Sequence, residues 1–103
     1  MNALILNRKT EIERFCRTWK IRDLLAFGSI TTDHFRPTSD IDLVADFQPG
    51  MHPTLIQLAQ MEEELERIFD RKIDLLTRKS VEKSRNYIRK KAILSTMERI
   101  YAA

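Results

Sequence analysis

Phe27-Gly28-Ser29, then ten residues, then Asp40-Ile41-Asp42-Leu43-Val44, with Lys72-Ile73-Asp74-Leu75-Leu76 further along, is the part of this chain that decides its fold. Three acids stand inside otherwise apolar, strand-like runs, where a carboxylate is poorly tolerated unless something holds it. A strand's period of two puts Asp40 and Asp42 on one face, and Asp74 takes a matching place in a strand expected to lie beside theirs. Carboxylates brought together repel one another, and a cation relieves them best. Oxygen-only ligation favours Mg²⁺ or Mn²⁺, which complete their shells with water and substrate phosphates. Gly28, lacking a side chain, lets an anion approach the backbone, and Ser29 adds a hydroxyl and an N–H. Metal beside phosphate points to nucleotide chemistry.

Outward from this constellation, the chain alternates helical and strand-like segments. Ile12, Phe15, Cys16 and Trp19 recur at helical spacing, and Thr10 with Glu13 has the form of a capping box, so a helix is expected over Thr10 to Lys20. Leu24 to Phe27 reads as a short buried strand ended by Gly28, Ser29 to Ser39 as a loop, and Asp40 to Phe47 as a strand with Ile41, Leu43, Ala45 and Phe47 on one face. Gln48-Pro49-Gly50 breaks that strand, and Pro53 suits the first turn of a helix running to Phe69. Its expected apolar stripe is Leu55, Leu58, Ala59, Leu65, Ile68 and Phe69, with Glu62, Glu63, Glu64 and Glu66 on a solvated outer face. A third strand, Lys72 to Thr77, places Lys72, Asp74 and Leu76 opposite Ile73, Leu75 and Thr77. Val81 to Tyr101 reads as one long helix, which Tyr87 and Tyr101 would anchor to the core. The predicted class is α+β: one domain over 1–103, with a small mixed sheet and helices packed on one side.

Length and composition agree with this. A chain of 103 residues, 43% hydrophobic and with only two glycines and three prolines, has room for one core and none for a long linker. No apolar run approaches the roughly 18 residues of a membrane span, and Met1 to Asn7 lacks the features of a signal peptide, so a cytoplasmic protein is expected. A single cysteine, Cys16, reads as core, and two distant histidines, His34 and His52, as loop residues, so zinc is not favoured. The net charge of +3 is unevenly spread: residues 1–70 carry 8 Lys+Arg against 12 Asp+Glu, and residues 71–103 carry 10 against 3. This basic last third, including Arg78, Lys79, Lys83, Arg85, Arg89, Lys90 and Lys91, is either a solvated face or a surface for phosphates or an acidic partner. No DNA-reading module or interleaved aromatics accompany it, so direct nucleic-acid binding is not expected.

The spacing Gly28-Ser29, ten residues, Asp40-Ile41-Asp42, with Asp74 on a later strand, resembles that of polymerase-beta-type nucleotidyltransferases. It is most similar to the minimal nucleotidyltransferase antitoxins of HEPN/MNT toxin–antitoxin pairs, over nearly the whole chain. The resemblance implies that Asp40 and Asp42 bridge two Mg²⁺ ions, that Asp74 is the third metal-binding carboxylate and helps deprotonate the attacking hydroxyl, and that Gly28 and Ser29 bind the nucleotide's phosphates. It implies ATP as substrate, AMP transfer to a tyrosine of a HEPN ribonuclease toxin, and a stable complex with that toxin. The chain departs from the family in its loop: Ile30-Thr31-Thr32-Asp33 follows Gly28-Ser29, where x-Ala-Arg-Gly is frequent, so Arg36, Arg78 or Lys79 is a candidate substitute. An antitoxin acting by binding alone and transfer to a small molecule with a helical partner subunit are the competing functions.

Overall fold

The structure is a computed structural model and describes residues 3–28 and 40–103. Four strands form one mixed sheet in the order β3-β2-β1-β4: β1 (Ile21–Phe27), β2 (Ile41–Phe47), β3 (Ile73–Thr77) and β4 (Glu98–Ala102). β1 runs antiparallel to both β2 and β4, while β2 and β3 are parallel, joined by the helix that a parallel crossover requires. The helices are α1 (Ala3–Leu6), α2 (Lys9–Thr18), α3 (Leu55–Phe69), α4 (Arg78–Glu82) and α5 (Tyr87–Thr96).

The sheet separates two cores. On one face Leu24 and Ala26 of β1, Ile41, Leu43 and Ala45 of β2 and Ile73 of β3 meet Ile12, Phe15 and Cys16 of α2 and Met61, Leu65 and Phe69 of α3. This is the expected helical layer. The opposite face carries a smaller cluster, Phe27, Val44, Val81 and Ile93, under α4 and α5. Helices therefore cover part of the second face as well, and the aspartates at even positions of β2 and β3 share that second face with Val44 and Leu76.

Several elements differ from the sequence reading for identifiable reasons. The first long helix is Lys9–Thr18, and no side chain caps it. Arg8, at its start, instead donates from Nε to Ile68 O at 2.8 Å and from Nη1 to Leu4 O at 3.2 Å, fastening the entry to the rest of the fold. β1 begins at Ile21, three residues early, because Arg22 and Asp23 are matched across the sheet: Arg22 lies 2.7 Å from Asp46, and Arg99 lies 3.1 Å from Asp23. Thr54, not Pro53, opens α3, through a capping box with Gln57. In α3 the buried residues are Met61, Leu65 and Phe69, while Leu55 is 85% exposed.

The glutamates of α3 are not simply solvated. Glu62 accepts from the Leu75 N–H at 3.3 Å, Glu66 from the Ile73 N–H at 3.5 Å and Glu64 from Trp19 Nε1 at 2.5 Å, leaving Glu63 as the exposed one. β3 is an edge strand, and these carboxylates satisfy amides that would otherwise be open for pairing.

The expected helix over Val81 to Tyr101 is three elements: the end of α4, α5 and β4. Polar Ser84, Arg85 and Asn86 interrupt it, and Asn86 caps α5 by accepting from the Arg89 N–H at 3.1 Å. At Met97 the backbone turns extended, and residues 98–102 add to the free edge of β1. Tyr101 packs on the main core from this strand, whereas Tyr87 is 73% exposed and belongs to neither core among the described residues. Cys16 is fully buried, as expected. Burial, with a smaller contribution from Glu13, pushes its thiol up to about 12, which makes it inert.

Candidate active site

Three strand ends meet at one edge of the second face. β1 ends at Phe27 with Gly28 next, Asp40 immediately precedes β2 and Asp42 is its second residue, and Asp74 is the second residue of β3. The parallel register pairs Asp42 with Asp74, and the antiparallel register pairs Asp42 with Phe27. Asp42 is therefore the centre of the group, flanked by Asp74 on one side and the Gly28 turn on the other. Its side chain is half-buried; Asp40 is exposed and the Asp74 side chain is 51% exposed.

Gly28 is required here on two grounds. Its φ of +76° lies in the region that side chains disfavour, and a Cβ on it would come within 2.9 Å of Asp42 Oδ2. Its N–H donates to Thr96 Oγ1 at 3.3 Å, which ties the turn to the end of α5. The absent side chain leaves the Asp42 carboxylate open beside the backbone.

The electrostatics separate the site's acids from the structural ones. Asp23 and Asp46 are neutralised by Arg22 and Arg99 at 2.7–3.3 Å. Asp42 has no ion pair among the described residues. Burial first, then the charges of Asp74 and Asp40, push its carboxyl above the usual range, and Arg89 partly opposes this. A cation stands beside the group among the described residues: Arg89 Nη2 lies 4.0 Å from Asp74 Oδ2.

The structure thus brings together Asp40, Asp42, Asp74 and Gly28, whereas Ser29 and Arg36 lie outside the described residues. Among the described residues no three acidic, histidine or cysteine side chains already close on one point as a metal cage. The donor chemistry fits a hard divalent cation: oxygen ligands alone, carrying excess negative charge and partly desolvated. Arg78 and Lys79 do not face this group. They line a cavity of about 410 Å³ with Arg22, Asp46 and Phe47, beyond the Ala45–Thr77 pair, which is three residues or about 10 Å along the strands. The sequence offers Arg89 only as one member of a basic segment and gives Thr96 no mark as a site residue. The Asn86 cap three residues before Arg89 was the signal that a new helix starts there.

The nucleotidyltransferase domain family matches residues 9–99 of the chain. The chain belongs to that family. Its curated relatives include "Putative protein adenylyltransferase MJ1215" of Methanocaldococcus jannaschii, 32% identical over 79% of this chain and 88% of that one. Another is "Protein adenylyltransferase MntA" of Thermococcus cleftensis, 29% identical over 78% and 75%. The match to a further Methanocaldococcus jannaschii relative, "Putative protein adenylyltransferase MJ1379", spans 63% of that protein's length. Among solved structures, a toxin–antitoxin complex with AMP-PNP superposes with a TM-score of 0.71 at 15% identity, covering 92% of this chain and 73% of that one. A tri-AMPylated Shewanella oneidensis HEPN toxin in complex with its MNT antitoxin gives 0.67 at 15%, covering 96% and 73%. These likenesses establish the fold as that of a minimal nucleotidyltransferase, in agreement with the nucleotidyltransferase domain family that the chain belongs to. No described helix is long and apolar enough to cross a membrane.

Proposed function

We propose that this nucleotidyltransferase is the antitoxin of a toxin–antitoxin pair: it transfers AMP from ATP, with Mg²⁺, to a tyrosine hydroxyl of a HEPN ribonuclease toxin and so silences it, within a cytoplasmic complex. The observation that carries this reading is the half-buried Asp42 carboxylate, in register with Asp74 and open toward Gly28. The adenylyltransferase names of the relatives and the HEPN and AMP-PNP complexes among proteins of the same fold support it.

In this reading Asp40, Asp42 and Asp74 hold the divalent cation, which when bound neutralises charge on the triphosphate and its leaving group. Gly28 keeps the floor beside Asp42 clear, and with Ser29 forms the phosphate turn. Asp74, the exposed partner of Asp42, takes the proton from the attacking hydroxyl. The hydroxyl oxygen then bonds to the α-phosphorus, the bond from that phosphorus to the pyrophosphate oxygen breaks, and pyrophosphate leaves.

Incubating the chain with α-labelled ATP, Mg²⁺ and a HEPN toxin from its own organism tests this. Label on the HEPN band, lost with Asp40→Asn/Asp42→Asn while the complex still forms, is the expected result; label undiminished by the substitutions would refute the assigned site. One observation favours a second reading, an antitoxin that acts by occlusion: a guanidinium stands beside one of the three carboxylates. Full neutralisation of the toxin in cells by the double variant would favour occlusion. Label on a small molecule, with no protein band, would instead point to a small-molecule acceptor.

A further inference from the structure

α5 lies over the carboxylate face like a bar. Arg89, Ile93 and Thr96 fall at i, i+4 and i+7, one side of the helix. Ile93 is buried with Phe27 and Val44, Thr96 accepts from the Gly28 N–H, and Arg89 reaches Asp74. One helix face therefore touches all three strands that build the site, and places a guanidinium across the carboxylates from the Gly28 turn. The Arg89–Asp74 contact is loose: 4.0 Å apart, with the two side chains 57% and 51% exposed. Such exposed pairs contribute little and are readily given up. A triphosphate entering this face adds several negative charges to three carboxylates that Arg89 only loosely offsets. Two other cations of the same basic segment are engaged elsewhere: Lys90 donates to Glu82 O at 2.9 Å, and Arg78 lies 3.2 Å from Glu82. A guanidinium's planar fork suits phosphate oxygens better than a single carboxylate at the edge of reach.

We propose that Arg89 is a nucleotide-binding residue that doubles as a displaceable counter-ion: it stands against Asp74 while the site is empty, a divalent cation displaces it, and it then pairs with the triphosphate. This rests on the nucleotidyltransfer reading of the site, and it makes two predictions of opposite sign for the same substitution. Removing the charge in Arg89→Gln leaves the carboxylates without their competing cation, so Mn²⁺ alone binds about threefold more tightly by calorimetry. The same variant binds a non-hydrolysable ATP analogue, in the presence of Mn²⁺, about tenfold more weakly. Lys91→Gln, an equal loss of charge from an exposed position on another side of α5, changes neither. A structural role for Arg89 would weaken both affinities together. Arg89→Gln that leaves both unchanged, or lowers both, overturns the proposal while the site assignment stands. If the unaltered chain binds neither Mn²⁺ nor the analogue, the site assignment and the proposal fall together.

Discussion

Gly28 and Asp42 constrain each other at the level of single atoms. Gly28→Ala must force a Cβ to within 2.9 Å of Asp42 Oδ2 at a φ of +76°, so we expect a loss of about 1–2 kcal/mol in denaturant titrations, together with loss of nucleotide binding. A Gly28→Ala protein as stable as its parent would mean the turn is not formed as described. Asp42 has a pH signature of definite sign. Its folded-state carboxyl titrates above the ordinary 3.8, so between those two values the folded chain holds more protons than the unfolded one. Stability therefore falls as pH rises through that window, and the loss is fully present at neutral pH. Asp42→Asn is expected to raise the melting temperature of the metal-free protein at pH 7, an advantage that vanishes below pH 3.8. Adding Mg²⁺ should stabilise the parent and leave the Asn variant unmoved. The aspartates and the glycine were legible in the sequence because an acid within an apolar strand and a glycine at a strand end each signal an unusual demand. Arg89 was not, since one arginine among many in a basic segment carries no mark of its own.

At the scale of elements, α3 acts as both crossover and edge guard. Its Thr54–Gln57 capping box fixes where it starts, and Glu62 and Glu66 close the outer amides of β3. Thr54→Ala should cost about 1 kcal/mol in thermal or chemical unfolding. Glu62→Ala should leave the Leu75 N–H without its acceptor, costing about 1 kcal/mol or more and raising aggregation measured by light scattering, because an opened edge strand templates pairing. An unchanged unfolding midpoint would show that water replaces the carboxylate without loss. The glutamate run looked like an ordinary solvated face because sequence shows which residues share a helix side, not that a strand edge lies within reach of it. The same limit explains β4. Residues 98–102 continue a helical pattern from α5, and only the free edge of β1 makes the extended form favourable. Tertiary pairing overrode local periodicity there, as the Arg22, Asp23, Asp46 and Arg99 cluster did at the start of β1.

At the scale of the molecule, the sheet separates stability from chemistry. One face is sealed by α2 and α3 around Ile12, Phe15, Met61, Leu65 and Phe69; the other is covered by α4 and α5 and opens at its edge onto Gly28, Asp40, Asp42 and Asp74. The mixed α+β class and the neighbouring of the strands that carry Asp42 and Asp74 follow from sequence, because alternation and helical spacing are strong there. The second helical layer does not, because α4 and α5 are short and bury only Val81 and Ile93. This division makes the central claim accessible to diffraction. Crystals of the chain grown with Mn²⁺ and a non-hydrolysable ATP analogue would locate the metal by its anomalous signal. The account predicts an ion ligated by Asp42 and Asp40, with Asp74 at the same cluster and the triphosphate against Gly28. A metal and nucleotide lodged instead in the cavity beside Arg78 and Lys79, with Asp42 unligated, would contradict it.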